Sequence, residues 1–74
     1  MESEYQRMML AVENYENGKM NKRTAFREIR AAEKSLLVAA DGGNVLTSMI
    51  HTLAKIARLG IREAELNRKG YELF

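Results

Sequence analysis

Side chains that commonly do proton or nucleophile chemistry are scarce in this chain: one histidine, His51, one aspartate, Asp41, three serines, Ser3, Ser35 and Ser48, and no cysteine. General acid–base or covalent catalysis needs a tuned base within reach of its partner. No serine has a base at a telling spacing. His51 stands among Lys55 and Arg58 on a polar face, where it reads as a surface residue. Without thiolates and with a single imidazole, a structural zinc site would need an unusual all-carboxylate shell. A calcium loop would need more acidic ligands than the sequence groups together. Asp41-Gly42-Gly43-Asn44 ahead of a helix can cradle an anion, but it lacks the lysine and the longer glycine pattern of a phosphate loop. The expectation is a non-enzymatic chain with no cofactor and no metal.

Recognition chemistry remains, and charge is where it is written. The net charge is +2, unevenly distributed. Residues 1–18 carry Glu2, Glu4, Glu13 and Glu16 against Arg7, a net of −3. Residues 19–40 carry Lys19, Lys22, Arg23, Arg27, Arg30 and Lys34 against Glu28 and Glu33, a net of +4, and residues 41–74 come to +1. On a helix, Arg23, Arg27, Arg30 and Lys34 fall within about 60° of one face and span roughly 16 Å. Such a row suits phosphates or an acidic protein surface. Its alternative is a solvated face, or one neutralised by Glu13 and Glu16 of a neighbouring helix. A second row, His51, Lys55, Arg58, Arg62 and Lys69, is interrupted by Glu65 and has the look of the outer face of any long amphipathic helix.

The run Leu53-Ala54-Lys55-Ile56-Ala57-Arg58-Leu59-Gly60-Ile61-Arg62-Glu63-Ala64-Glu65-Leu66 resembles a helix-turn-helix. In that motif a small residue stands four before the turn glycine, and apolar residues follow it by one and by six. Ile61 and Leu66 fit, whereas Ile56 occupies the small position and Ala57 comes one place late. The resemblance implies a sharp turn at Gly60 and a small basic DNA-binding protein, with Asn67 and Arg68 reading base edges. Glu63 and Glu65 on that reading helix would repel phosphates.

The elements that position these residues are helical. Proline is absent, β-branched residues are sparse, and apolar positions recur at helical spacing. Three helices are expected, over 4–17, 22–40 and 45–69, as a single all-α domain over 1–74. The architecture is a small three-helix bundle, or a helical hairpin with an additional N-terminal helix. Ser3 with Gln6 forms a capping-box pattern, and Asn17-Gly18 a stop. Asn21 or Thr24 caps the second helix. Gly42 or Gly43 supplies a left-handed end and Asn44 caps the third. The expected inner faces are Tyr5, Met8, Met9, Val12 and Tyr15; then Phe26, Ile29, Ala32, Leu36 and Ala40, with Ala25 and Leu37 at the margins; then Leu46, Met49, Ile50, Leu53, Ala57, Gly60, Ile61 and Ala64. The last set keeps phase through Gly60, which favours an uninterrupted helix over the turn of the DNA-binding motif. Ala57, Gly60 and Ala64 would then form a seam for close approach of a neighbour.

Leu59 and Leu66, seven residues apart with Ile56 beside them, fall off that inner face and suggest a helix-to-helix contact with another chain. Leu10 is likewise off the inner face of the first helix. Gly70 would end the third helix and leave an apolar tail, Tyr71, Leu73 and Phe74, to dock on the fold, a sister subunit or a partner. A chain of 74 residues buries a small core and usually needs a staple; with disulfides and metals set aside, self-association is the one left. The expected protein interface is therefore Ile56, Leu59, Leu66, Tyr71, Leu73 and Phe74. The candidate anion or nucleic-acid contacts are Arg23, Arg27, Arg30, Lys34, Lys55, Arg58 and Arg62. Met1-Glu2-Ser3-Glu4 has none of the features of a secretion signal, and no run suits a membrane span, so a soluble cytoplasmic chain is expected. Small helical proteins of this charge are common among phage and plasmid accessory factors. The function expected is that of a small regulator, adaptor or inhibitor that binds itself and a protein partner, with nucleic acid as the alternative.

Overall fold

The structure, a computed structural model, describes the backbone of residues 3–72 and the side chains of residues 3–68. Three helices, α1 (Glu4–Glu16), α2 (Lys22–Ala40) and α3 (Asn44–Glu72), make up an all-α bundle, with no strand among the described residues. Local chemistry sets most ends. Ser3 Oγ accepts from the Gln6 N–H at 3.1 Å while Gln6 Oε1 accepts from the Ser3 N–H at 2.9 Å, a complete capping box with Glu4 in the first turn. At the other end of α1 the Gly18 N–H donates to the Tyr15 carbonyl and the Lys19 N–H to the Asn14 carbonyl. That pairing needs a left-handed residue, and Gly18 supplies it with φ 75°. Asn21 caps α2 through Oδ1, which accepts from the Thr24 N–H at 2.7 Å.

Three expected end signals are placed differently. Asp41, not a glycine, is the first left-handed residue after α2, at φ 49°, with Gly42 next at φ 78°. Aspartate tolerates this region better than most side chains. Asn44 lies inside α3, and the Gly43 carbonyl accepts from the Thr47 N–H at 2.8 Å. Nor does Gly70 end the helix: α3 continues to Glu72, so Tyr71 is helical backbone and not the start of a tail. The Tyr71 side chain, Leu73 and Phe74 lie outside the described residues.

The core is a zipper of small and branched side chains. Met8, Ala11 and Tyr15 of α1, Ala25, Ile29 and Ala32 of α2, and Ala54, Ala57 and Ile61 of α3 form one buried cluster, edged by Val12, Met20, Phe26, Leu36 and Ala64. Fully burying an isoleucine is worth about 1.5–3 kcal/mol, and Ile29, Ile50 and Ile61 are the largest side chains wholly inside. Alanines at the crossings let the helices approach. Gly60 is part of that seam: a Cβ there would sit 3.2 Å from Val12 Cγ1, so α1 rests on bare α3 backbone.

Salt bridges between elements fix the register. Arg7 Nε of α1 meets Glu28 of α2 at 2.6 Å, and Lys22 of α2 meets Glu65 of α3 at 2.7 Å. Further along the α2–α3 seam, Glu33 takes Arg58 at 2.7 Å and His51 at 3.1 Å. α2 therefore runs antiparallel to both neighbours. With Arg7 level with Glu28, the start of α1 reaches only to about residue 31 of α2, counting one residue against one. The last turns of α2 and the first turns of α3 project beyond it as a two-helix arm.

That arm corrects the expected inner faces. Leu46, Met49 and Leu53, expected inside, are exposed, as are Tyr5 and Met9 of α1. Ala11 and Ala54, bulkless positions that were not expected in the core, are buried. For Leu46 and Leu53 the neighbour needed to cover them ends too soon, whereas Met49 on α3 and Tyr5 and Met9 on α1 lie about 80–120° round the helix from the buried residues.

Candidate interaction surfaces

α3 is unbroken at Gly60, so the turn that the helix-turn-helix resemblance requires is absent. Arg68, which that reading turns towards bases, lies over the Tyr15 ring at 4.9 Å and donates to the Tyr15 carbonyl at 2.7 Å. It closes the C-terminal end of α1, where a cation suits the helix dipole.

An uninterrupted α3 sorts its side chains into faces. At 100° per residue, Ile50, Ala54, Ala57 and Ile61 share the buried side. Val45, Met49, Thr52, Ile56, Leu59, Glu63 and Leu66 follow one another at alternating steps of four and three, which is the spacing of a coiled-coil seam. That line runs up the side of α3 away from the core. Its five apolar members, Val45 (75%), Met49 (53%), Ile56 (57%), Leu59 (51%) and Leu66 (67%), are each more than half exposed. Leu46 and Leu53 widen it on one flank; Lys55 and Arg62, both exposed, border it on the other. A single exposed leucine is normal on a monomer. A row about 32 Å long, at 1.5 Å per residue, is the kind of continuous apolar surface that marks a contact site.

Ile56, Leu59 and Leu66 of the expected interface belong to this row. Val45 and Met49 were missed, although their four-and-three spacing was available in the sequence, because Met49 had been assigned to the core face. Glu63 is the one ionisable member of the row.

The cationic residues divide into two sets. Arg58 is half-buried against Glu33, and His51 shares the same carboxylate, so neither is part of a free row. Arg23, Arg27, Arg30 and Lys34 are exposed on the outer side of α2. The neutralisation of that row by Glu13 and Glu16 does not occur: both are exposed, and the α2 carboxylate facing α1 is Glu28, taken by Arg7. The Arg7 hydrogen bond, with its charge and that of Arg27, holds the Glu28 carboxyl below the usual glutamate range against the opposing effect of burial. The same hydrogen bond raises Arg7.

Among the described residues, no group of three or more histidine, cysteine, aspartate or glutamate side chains could hold a metal ion, and no helix is long and apolar enough to cross a membrane. No family model, curated protein or solved structure matches this chain.

Proposed function

We propose that this chain is a non-enzymatic helical interaction protein, which self-associates along α3 and acts as a small regulator, adaptor or inhibitor of a protein partner. The observation that carries the reading is the exposed line Val45, Met49, Ile56, Leu59 and Leu66 at coiled-coil spacing. Two copies packed along it bury the apolar surface that a small core leaves outside, and so supply the staple that a cysteine-free domain of this size lacks. Thr52 and Glu63 interrupt the line at two seam positions. Polar groups there weaken a seam while restricting its register, which suits an assembly that opens to admit a partner. His51 and Glu33 join α2 to α3, and Asp41 ends α2.

The test is the paired substitution Leu59→Ser and Leu66→Ser. Both positions are solvent-facing in the single chain, so helicity by circular dichroism is expected to persist. Mass by light scattering is expected to fall from an oligomer to a monomer. A wild-type chain that is monomeric at every concentration, or an unchanged oligomer in the variant, rejects the reading.

A further inference from the structure

The molecule has a second surface, on the outer side of the α2–α3 hairpin, that the apolar row does not use. On α2 the buried residues Ala25, Ile29 and Ala32 define the inward direction. Turning 100° per residue, Arg23, Arg27, Arg30 and Lys34 point away from it. On α3, Lys55 and Arg62 lie about 40–60° beyond Arg58, the residue that reaches Glu33 of α2. The ion pairs Lys22–Glu65 and Glu33–Arg58 set the register of the two helices, which, counting one residue against one, brings Arg62 to the level of Arg27 and Lys55 to the level of Lys34. The two cationic rows thus flank one seam, on helices packed about 8–10 Å apart.

Within that seam the carboxylates are already engaged, Glu65 with Lys22 and Glu33 with Arg58 and His51. The outward positions of α2, Arg23, Arg27, Arg30, Ala31, Lys34, Ser35 and Val38, contain no acid. A face made only for solubility mixes signs, since opposite charges three or four apart support a helix and like charges weaken it. Here every neighbouring charged pair in the row is like on like. Lys22 and Arg23 also occupy the first turn of α2, where no acidic residue stands and where the helix dipole disfavours cations. The arrangement is poor for an isolated helix and good for an extended anion.

We infer that the outer face of the α2–α3 hairpin, formed by Arg23, Arg27, Arg30, Lys34, Lys55 and Arg62, binds the phosphate backbone of a nucleic acid without reading its sequence. Phosphates of one strand advance about 3.4 Å each along a duplex, so the roughly 16 Å row on α2 spans about five of them. Asparagine, glutamine and aromatic side chains are absent from the face, and its cations form a continuous row along the helix, an arrangement suited to the phosphate backbone. This surface adjoins the apolar row at Lys55 and Arg62 but is centred on α2, and does not depend on self-association.

The experiment measures fluorescence anisotropy of labelled oligonucleotides of about 20 nucleotides, single-stranded and duplex, titrated with the full chain at ~50 mM salt and upwards. The variant is Arg27→Glu with Arg30→Glu, two exposed positions outside the ion pairs that join the helices, with helicity checked by circular dichroism. Binding to either probe that weakens at least about tenfold in the variant, with a log–log salt slope shallower by about two, supports the assignment; the tighter probe identifies the strand form. Glu13→Lys with Glu16→Lys makes an equal and opposite charge change on α1 and is expected to alter affinity less. No binding at ~50 mM salt, an unchanged affinity in the Arg27 and Arg30 variant, or equal binding of polyglutamate overturns it.

Discussion

Gly60 of α3 faces Val12 of α1 so closely that a Cβ on the glycine would stand 3.2 Å from Val12 Cγ1. The contact explains why a helix tolerates a residue that costs about 1 kcal/mol relative to alanine. In Gly60→Ala the propensity gain and the crowding of a stiff β-branched neighbour oppose each other, and a change in stability within about 1 kcal/mol is expected. In a Val12→Ala background the crowding is gone, and the same substitution is expected to stabilise by up to about 1 kcal/mol. A double-mutant cycle by chemical denaturation reads the difference; a coupling of zero would mean the two residues do not touch.

Arg7 and Glu28 join α1 to α2, and Glu28 titrates below its ordinary range because the ionised form is the one Arg7 holds. The contribution is therefore present at neutral pH, above the unfolded carboxyl range, and is lost as pH falls through the lowered folded value. Glu28→Gln is expected to lower stability at pH 7 by about 0.2–1 kcal/mol, as for a partly exposed pair. The gap between wild type and variant should close in acid. Paired thermal melts from neutral to strongly acidic pH check it, and a gap that widens in acid contradicts the assignment.

Ser3 closes the N-terminus of the shortest helix, where few tertiary contacts compensate a lost cap. Ser3→Ala is expected to cost about 0.5–2 kcal/mol. Amide exchange should quicken at Gln6, whose N–H the hydroxyl accepts. A stability change without that local signature would place the effect elsewhere.

Glu63 is the one charged member of the α3 row. If two copies pack along that row, Glu63→Leu is expected to tighten the assembly, visible in sedimentation as oligomer persisting to lower concentration. A looser assembly in this variant would move the contact to another face.

Capping at both ends of α1 and at the start of α2 was legible, because it is local chemistry: Ser3 with Gln6, Gly18 after Asn17 and Asn21 act within a few residues of themselves, whereas the expected Gly42 or Gly43 end, Asn44 cap and Gly70 stop were not borne out. Periodicity located the apolar sides of the helices but not the extent of what covers them. Leu46 and Leu53 lie towards the phase of the core, yet α1 has 13 residues against 29 in α3 and gives them little cover, while Met49 lies further round the helix. Ala11 and Ala54 were missed for the opposite reason, since sequence reading favours bulky side chains and tight crossings favour small ones. Arg58 looked like a member of a free row; its partner Glu33 lies 25 residues away and is brought to it only by the register of the hairpin. The spare position of Leu59 and Leu66 was legible from phase alone.

The brevity of α1 has a kinetic consequence. Beyond its reach the hairpin is held by the buried Ile50, the half-buried Leu36, the Glu33–His51 pair and the turn Asp41-Gly42-Gly43. Opening there exposes little that is hidden, whereas opening near Ile61 breaks all three helices at once. The bundle is thus graded along its length, with fewer buried side chains towards the turn than around Ile61, and local opening is expected to begin at the turn end.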